Sequence, residues 1–138
     1  MTETNELPDL SHSLAQNLGI TFQTVDEGYV KATMPVDERT SRPCDPVDIL
    51  NGGASLALAE TVAGYGSIRV CEKGWMPCGV QISANHIRMV RTGTYVEATG
   101  RLIHRGRTQH VWNIDITTPD GKLVSTIRVV NLIVKERS

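Results

Sequence analysis

Between Asp48 and Arg69 the chain carries a single charged side chain, Glu60. Alanine, leucine, valine and glycine surround that acid on nearly every side of a helical wheel. Asn51 supplies a good N-cap and Gly74 a good terminator, so the stretch is predicted as one helix of about 20 residues, ~30 Å long. A helix that is apolar all round is a buried helix. It fits a membrane span poorly, because of its glycines, its central acid and its flanks. The rest of the chain is therefore expected to enclose this helix.

The remaining segments supply the material for that enclosure. A short helix is predicted from about Asp9 to Leu18, with Leu10, Leu14 and Leu18 on one stripe and Gly19 ending it. The polar start, Met1–Glu6, is expected to fray. Ile20–Val25 and Tyr29–Met34 flank Asp26-Glu27-Gly28; Val30, Ala32 and Met34 alternate with polar neighbours, which is the period of a half-buried hairpin strand. Residues 37–50 hold Pro43 and Pro46 and read as a loop. After Gly74 everything reads as strand: Cys78–Val90, Thr94–Ile103, Thr108–Thr117 and Lys122–Val134, with turns at Arg91-Thr92-Gly93, Arg105-Gly106 and Pro119-Asp120-Gly121. The last four strands are expected to form a meander. One buried helix on a six-stranded antiparallel sheet is an α+β architecture, in one domain spanning residues 1–138.

Composition excludes several functions. Lys+Arg is 14 against Asp+Glu 15, leaving no basic surplus for nucleic acid. Aromatic residues make up 4% of the chain, so the core is expected to be aliphatic. Cys44, Cys71 and Cys78 show no metal-ligand spacing and suit reduced thiols in a cytoplasm. The start MTETNELPDLSHSL lacks a basic n-region and a long apolar run, so neither a secretory signal nor a membrane partner is expected.

Four groups of residues could carry chemistry. Asn51-Gly52-Gly53 is either a simple cap or an anion site built from the free amides of a helix start. Glu60 either pairs with a basic residue or acts as a catalytic nucleophile or general base. Seven residues separate Gly53 from Glu60, about 10 Å along the axis, too far for one helix to present both to a single carbonyl. That spacing points to a site shared between two copies. In Ser83-Ala84-Asn85-His86-Ile87-Arg88 the strand phase slips at Asn85-His86, as a bulge would produce, leaving His86 either structural or aimed at a site. His104-Arg105-Gly106-Arg107 makes a basic cluster with Arg88 and Arg101, either a solvated hairpin tip or a phosphate patch.

Three segments then share one likeness. Asn51-Gly52-Gly53-Ala54-Ser55-Leu56-Ala57-Leu58-Ala59-Glu60 resembles the H-G-G-A-x-x-x-L-A-E segment of hotdog-fold acyl-CoA thioesterases. Ala32-Thr33-Met34-Pro35-Val36-Asp37-Glu38-Arg39-Thr40 resembles their A-x-M-P-V-D-x-R-T stretch, and Ala84-Asn85-His86-Ile87-Arg88 their A-N-H-x-R strand. The likeness runs from about Leu18 to Val134. It is nearest the branch with glutamate-type 4-hydroxybenzoyl-CoA thioesterase, phenylacetyl-CoA-type thioesterases and the enterobactin and menaquinone pathway enzymes. The resemblance implies a curved sheet wrapped around one central helix, working as a homodimer and often as a homotetramer. It implies hydrolysis of an acyl-CoA without metal or cofactor; the low aromatic content and the helix rich in alanine and glycine leave room for an aryl or a medium-chain acyl group. Glu60 would be the catalytic carboxylate and the Gly52 amide the oxyanion donor. Asn51 and His86 would lie beside the carbonyl, with Arg88, Arg105 and Arg107 on the CoA phosphates.

The chain departs from the pattern at Asn51, where the family has histidine, and at Gly64, where some relatives have serine. The Cys44–Leu50 loop is longer, so Asp45 or Asp48 would replace a polar residue there. Asparagine cannot shuttle a proton at neutral pH, which leaves a non-catalytic acyl-CoA-binding hotdog protein as the alternative. The paired Asp and His of hotdog hydratases are not found.

Overall fold

The computed structural model describes residues 7–137; the start expected to fray lies outside the described residues. The elements in chain order are α1 (Leu14–Asn17), β1 (Thr21–Asp26), β2 (Tyr29–Val36), β3 (Ser41–Arg42), β4 (Ile49–Leu50) and α2 (Gly52–Val70). They continue with β5 (Trp75–His86), β6 (Thr94–Arg105), β7 (Gln109–Thr117) and β8 (Leu123–Lys135). Six strands form one antiparallel sheet in the order β1-β2-β6-β7-β8-β5. α2 packs against all six. This is the α+β hotdog architecture expected from the sequence.

Alternation sets the two faces of the sheet. Val30, Ala32, Met34 and Val36 of β2 and Trp112, Ile114 and Ile116 of β7 are buried against α2, while the residues between them face outward. The core is aliphatic except at Phe22 and at its largest member, Trp112. Gly66 makes room for that indole: a Cβ there would lie 2.4 Å from the ring. Gly66→Ala is therefore expected to overpack the core and cost about 1–3 kcal/mol, read as a lower midpoint in urea denaturation.

Only one face of α2 is covered. Ala54, Ser55, Leu58, Ala59, Val62, Ala63, Gly66, Ser67 and Val70 are buried on the sheet. Leu56, Ala57, Thr61 and Gly64 are half-buried, and Glu60 and Ile68 are exposed. The helix that reads as buried on all sides is thus buried on one, with an apolar second face open. The same side of the molecule carries β5, an edge strand with Met76 and Val80 exposed.

Three sequence expectations are corrected. The first helix is reduced to Leu14–Asn17, capped by Ser13. Before it His12 adopts a left-handed φ of 59°, and the Ser11 amide donates to the Asp9 carboxylate, so the backbone turns instead of coiling. β5 does not continue into a meander: it pairs with β8, and β2 pairs with β6. The connection through Arg91-Thr92-Gly93 is a crossover, held by Leu50 and Thr92 amides donating to the Val90 and Asp48 carbonyls. The bulge in β5 lies at Gly79-Val80, not at Asn85-His86, whose pairing with Thr126 and Ser125 is regular. Residues 37–50 are a loop pinched by the β3–β4 pair.

Candidate active site

The start of α2 is built around one unpaired amide. The Asn51 side chain accepts from the Gly53 N–H at 2.7 Å, and the Asn51 carbonyl accepts from Ala54 and Ser55. The Gly52 N–H has no partner among the described residues. It sits at the positive end of a 19-residue helix, where a developing negative charge is favoured. Asn51 is thus both a cap and the residue that leaves Gly52 free.

His86 is brought directly to this amide. Its Nε2 lies 2.9 Å from where a Cβ at Gly52 would be, so only glycine lets the ring close on the helix start. Its Nδ1 meets the Ser125 hydroxyl at 2.7 Å, which orients the imidazole from β8. Ser125 is fully buried and carries no motif in the sequence. Only the cross-strand register of His86 with Ser125 reveals it.

Glu60 is the next acidic group along α2, about 12 Å from Gly52 at 1.5 Å per residue. Its Oε1 lies 2.7 Å from the position of a Cβ at Gly79. The carboxylate therefore rests on the β5 bulge, against a strand residue with no side chain. A glycine inside a strand is a signal for such an approach, and Gly79 could have been found that way. Among the described residues the ion pairs are Lys31–Glu97, Arg39–Asp37 and Lys122–Asp120; none involves Glu60. Among the described residues, then, no basic side chain holds Glu60 in an ion pair.

The arginines do not form one cluster. Arg88 lies at the Gly52 end, with its Nε donating to the Leu123 carbonyl at 3.4 Å. Arg105 lies at the opposite end of α2, where its Nη2 donates to the Val70 carbonyl at 2.9 Å. Arg101 stands 5.4 Å over the Tyr29 ring. β6 runs from the Gly52 end to the Val70 end and carries Arg105 away from Arg88. Arg105 and Arg107 instead line a cavity of about 600 Å³ with Trp75, Thr108 and His110. Asp48 is spoken for locally, accepting from the Cys44 amide. No group of three His, Cys, Asp or Glu residues that could hold a metal occurs among the described residues. No described helix is long and apolar enough to cross a membrane.

A six-stranded antiparallel sheet packed on one long helix is the hotdog architecture. The chain belongs to the thioesterase superfamily, whose profile matches residues 48–125. It is 38% identical over 120 residues to 1,4-dihydroxy-2-naphthoyl-CoA hydrolase of Escherichia coli, covering 84% of this chain and 82% of that one. It is 35% identical over 121 residues to the proofreading thioesterase EntH of Cronobacter sakazakii, covering 88% and 85%. A crystal structure of a thioesterase from Haemophilus influenzae superposes with a TM-score of 0.84 at 36% identity, covering 95% of this chain and 94% of that one. The protein is a thioester hydrolase.

Proposed function

We propose that the protein hydrolyses an aryl- or medium-chain acyl-CoA to the free acid and CoA in the cytoplasm, and that it sits in the glutamate-type branch named above. The unpaired Glu60 carboxylate on the open face of α2 is the observation that carries this reading. Glu60 takes a proton from water as that water attacks the thioester carbonyl, or attacks the carbonyl itself and is later released by water. Either way the C–S bond breaks: in the first route Glu60 passes the water's proton to the departing sulfur, and in the second CoA leaves as the thiolate and is protonated by the water that later cleaves the acyl-enzyme anhydride. The Gly52 amide donates to the carbonyl oxygen as it becomes negative, and Asn51 and His86 shape the same corner.

One protomer holds these groups too far apart for one carbonyl, so the working unit is a homodimer, itself able to pair into a homotetramer. The exposed β5 edge and the open face of α2 support it. Two β5 strands pairing antiparallel about a two-fold axis continue the sheet and lay the two helices side by side. Glu60 of one copy then faces the Gly52 corner of the other. The same pairing carries Arg88 of one copy toward Arg105 and Arg107 of the other, which together take the CoA phosphates. The test is a thiol-release assay across aryl- and medium-chain acyl-CoAs, run beside direct binding. Release on at least one class is expected; tight binding of every class with no release overturns the reading.

A further inference from the structure

Beneath the cavity at the C-terminal end of α2 lies a buried polar network with only one consistent arrangement of protons. The Ser67 hydroxyl meets Trp112 Nε1 at 2.8 Å, Asn131 Nδ2 at 3.1 Å and His110 Nδ1 at 2.8 Å. The indole N–H can only donate. The Asn131 nitrogen also reaches the Ala63 carbonyl at 3.2 Å, and a carbonyl only accepts, so this end of the amide is the donor. Both acceptor positions of Ser67 are therefore filled. Its single hydrogen must go to His110 Nδ1, which must be unprotonated. His110 is thus neutral, with its proton on Nε2.

That Nε2–H has no partner among the described residues. His110 is 3% exposed, yet no described side-chain nitrogen or oxygen is both fully enclosed and unpaired. The Nε2–H therefore opens onto the cavity that His110 lines. Burial, Arg105 and His104 all push the imidazole further toward its neutral form. Arg105 and Arg107 outnumber Glu72 at the cavity wall, so the site favours an anion. A neutral N–H donor beside two guanidinium groups matches a phosphate oxygen: it donates without adding a charge that pH could remove.

We propose that His110 is a specificity-determining residue, whose Nε2–H reads the phosphate monoester of a CoA thioester held in this cavity. The inference rests on the proposed function for the identity of the ligand and goes beyond it in naming what selects the phosphorylated form. The probes are CoA and dephospho-CoA, which differ only in that monoester, measured by titration calorimetry on the full chain. Wild type is expected to prefer CoA. His110→Leu is expected to weaken CoA binding about tenfold or more, the size of a lost hydrogen bond to a charged group, and to leave dephospho-CoA unchanged. Leucine leaves the Ser67 hydroxyl without an acceptor, so circular dichroism checks the fold. His110→Gln, which can accept from Ser67 and donate outward, is expected to keep the preference. Histidine ¹⁵N NMR supplies a readout independent of turnover: an Nε2–H tautomer at neutral pH, shifted by CoA and not by dephospho-CoA. An Nδ1–H tautomer, or an equal loss of both ligands in His110→Leu, overturns the proposal. Discrimination between the two ligands without thiol release would sink the hydrolase reading and leave this one standing. Thiol release with a His110 signal silent to CoA would do the reverse.

Discussion

Glu60→Gln is expected to lose thioester turnover by about 10²–10⁴-fold, the range for removing a positioned acid–base group. The amide has nearly the carboxylate's shape. It cannot take a proton from water at neutral pH, and it is a far poorer nucleophile toward a thioester. Glu60→Ala should fall at least as far. Neither change should unfold the protein. The side chain is exposed and makes no ion pair among the described residues, and substitutions at such positions usually move stability by no more than about 0.5 kcal/mol. Thiol release and thermal unfolding on the same preparations check both halves. Wild-type turnover in Glu60→Gln would remove Glu60 from the chemistry.

The helix that carries Glu60 was also the most legible part of the sequence. Its long uncharged run broken only by Glu60 before Arg69, and its Asn-Gly-Gly start, are local features, and local features set cap geometry directly. What lay beyond reading was non-local. Whether β5 pairs with β6 or β8 depends on where a crossover passes, and the Arg91-Thr92-Gly93 turn looks the same in either case. The arginines show the same limit: Arg88 and Arg105 are near in sequence but are separated by the run of a 12-residue strand. His86 was visible within its motif, but its Ser125 partner depends on register. The Ser67–His110–Trp112–Asn131 network joins α2 to β7 and β8 through residues more than forty positions apart, as a pattern search within one segment cannot.

The second large effect separates a shared site from a self-contained one. Gly52→Pro deletes the proposed oxyanion donor while keeping the helix start. Proline is favoured at the first helical position, and Asn51 already holds the extended backbone that precedes proline (φ −79°, ψ 131°). No hydrogen bond is lost, because the Gly52 amide has none. The added Cβ crowds His86, and Gly52→Ala carries the same Cβ with the N–H retained, so it isolates the steric part. Gly52→Pro is expected to lose about 10²–10³-fold in turnover and Gly52→Ala distinctly less. Each of Gly52→Pro and Glu60→Ala is then nearly inactive alone. Co-refolded in equal amounts, they pair at random, and half the dimers are mixed. In a mixed dimer one site combines both defects, while the other takes Glu60 from the Gly52→Pro copy and Gly52 from the Glu60→Ala copy. One intact site in half the dimers restores about a quarter of wild-type turnover, as two-fold symmetry requires. If each protomer held a complete site, every site in the mixture would carry one defect, and mixing would restore nothing.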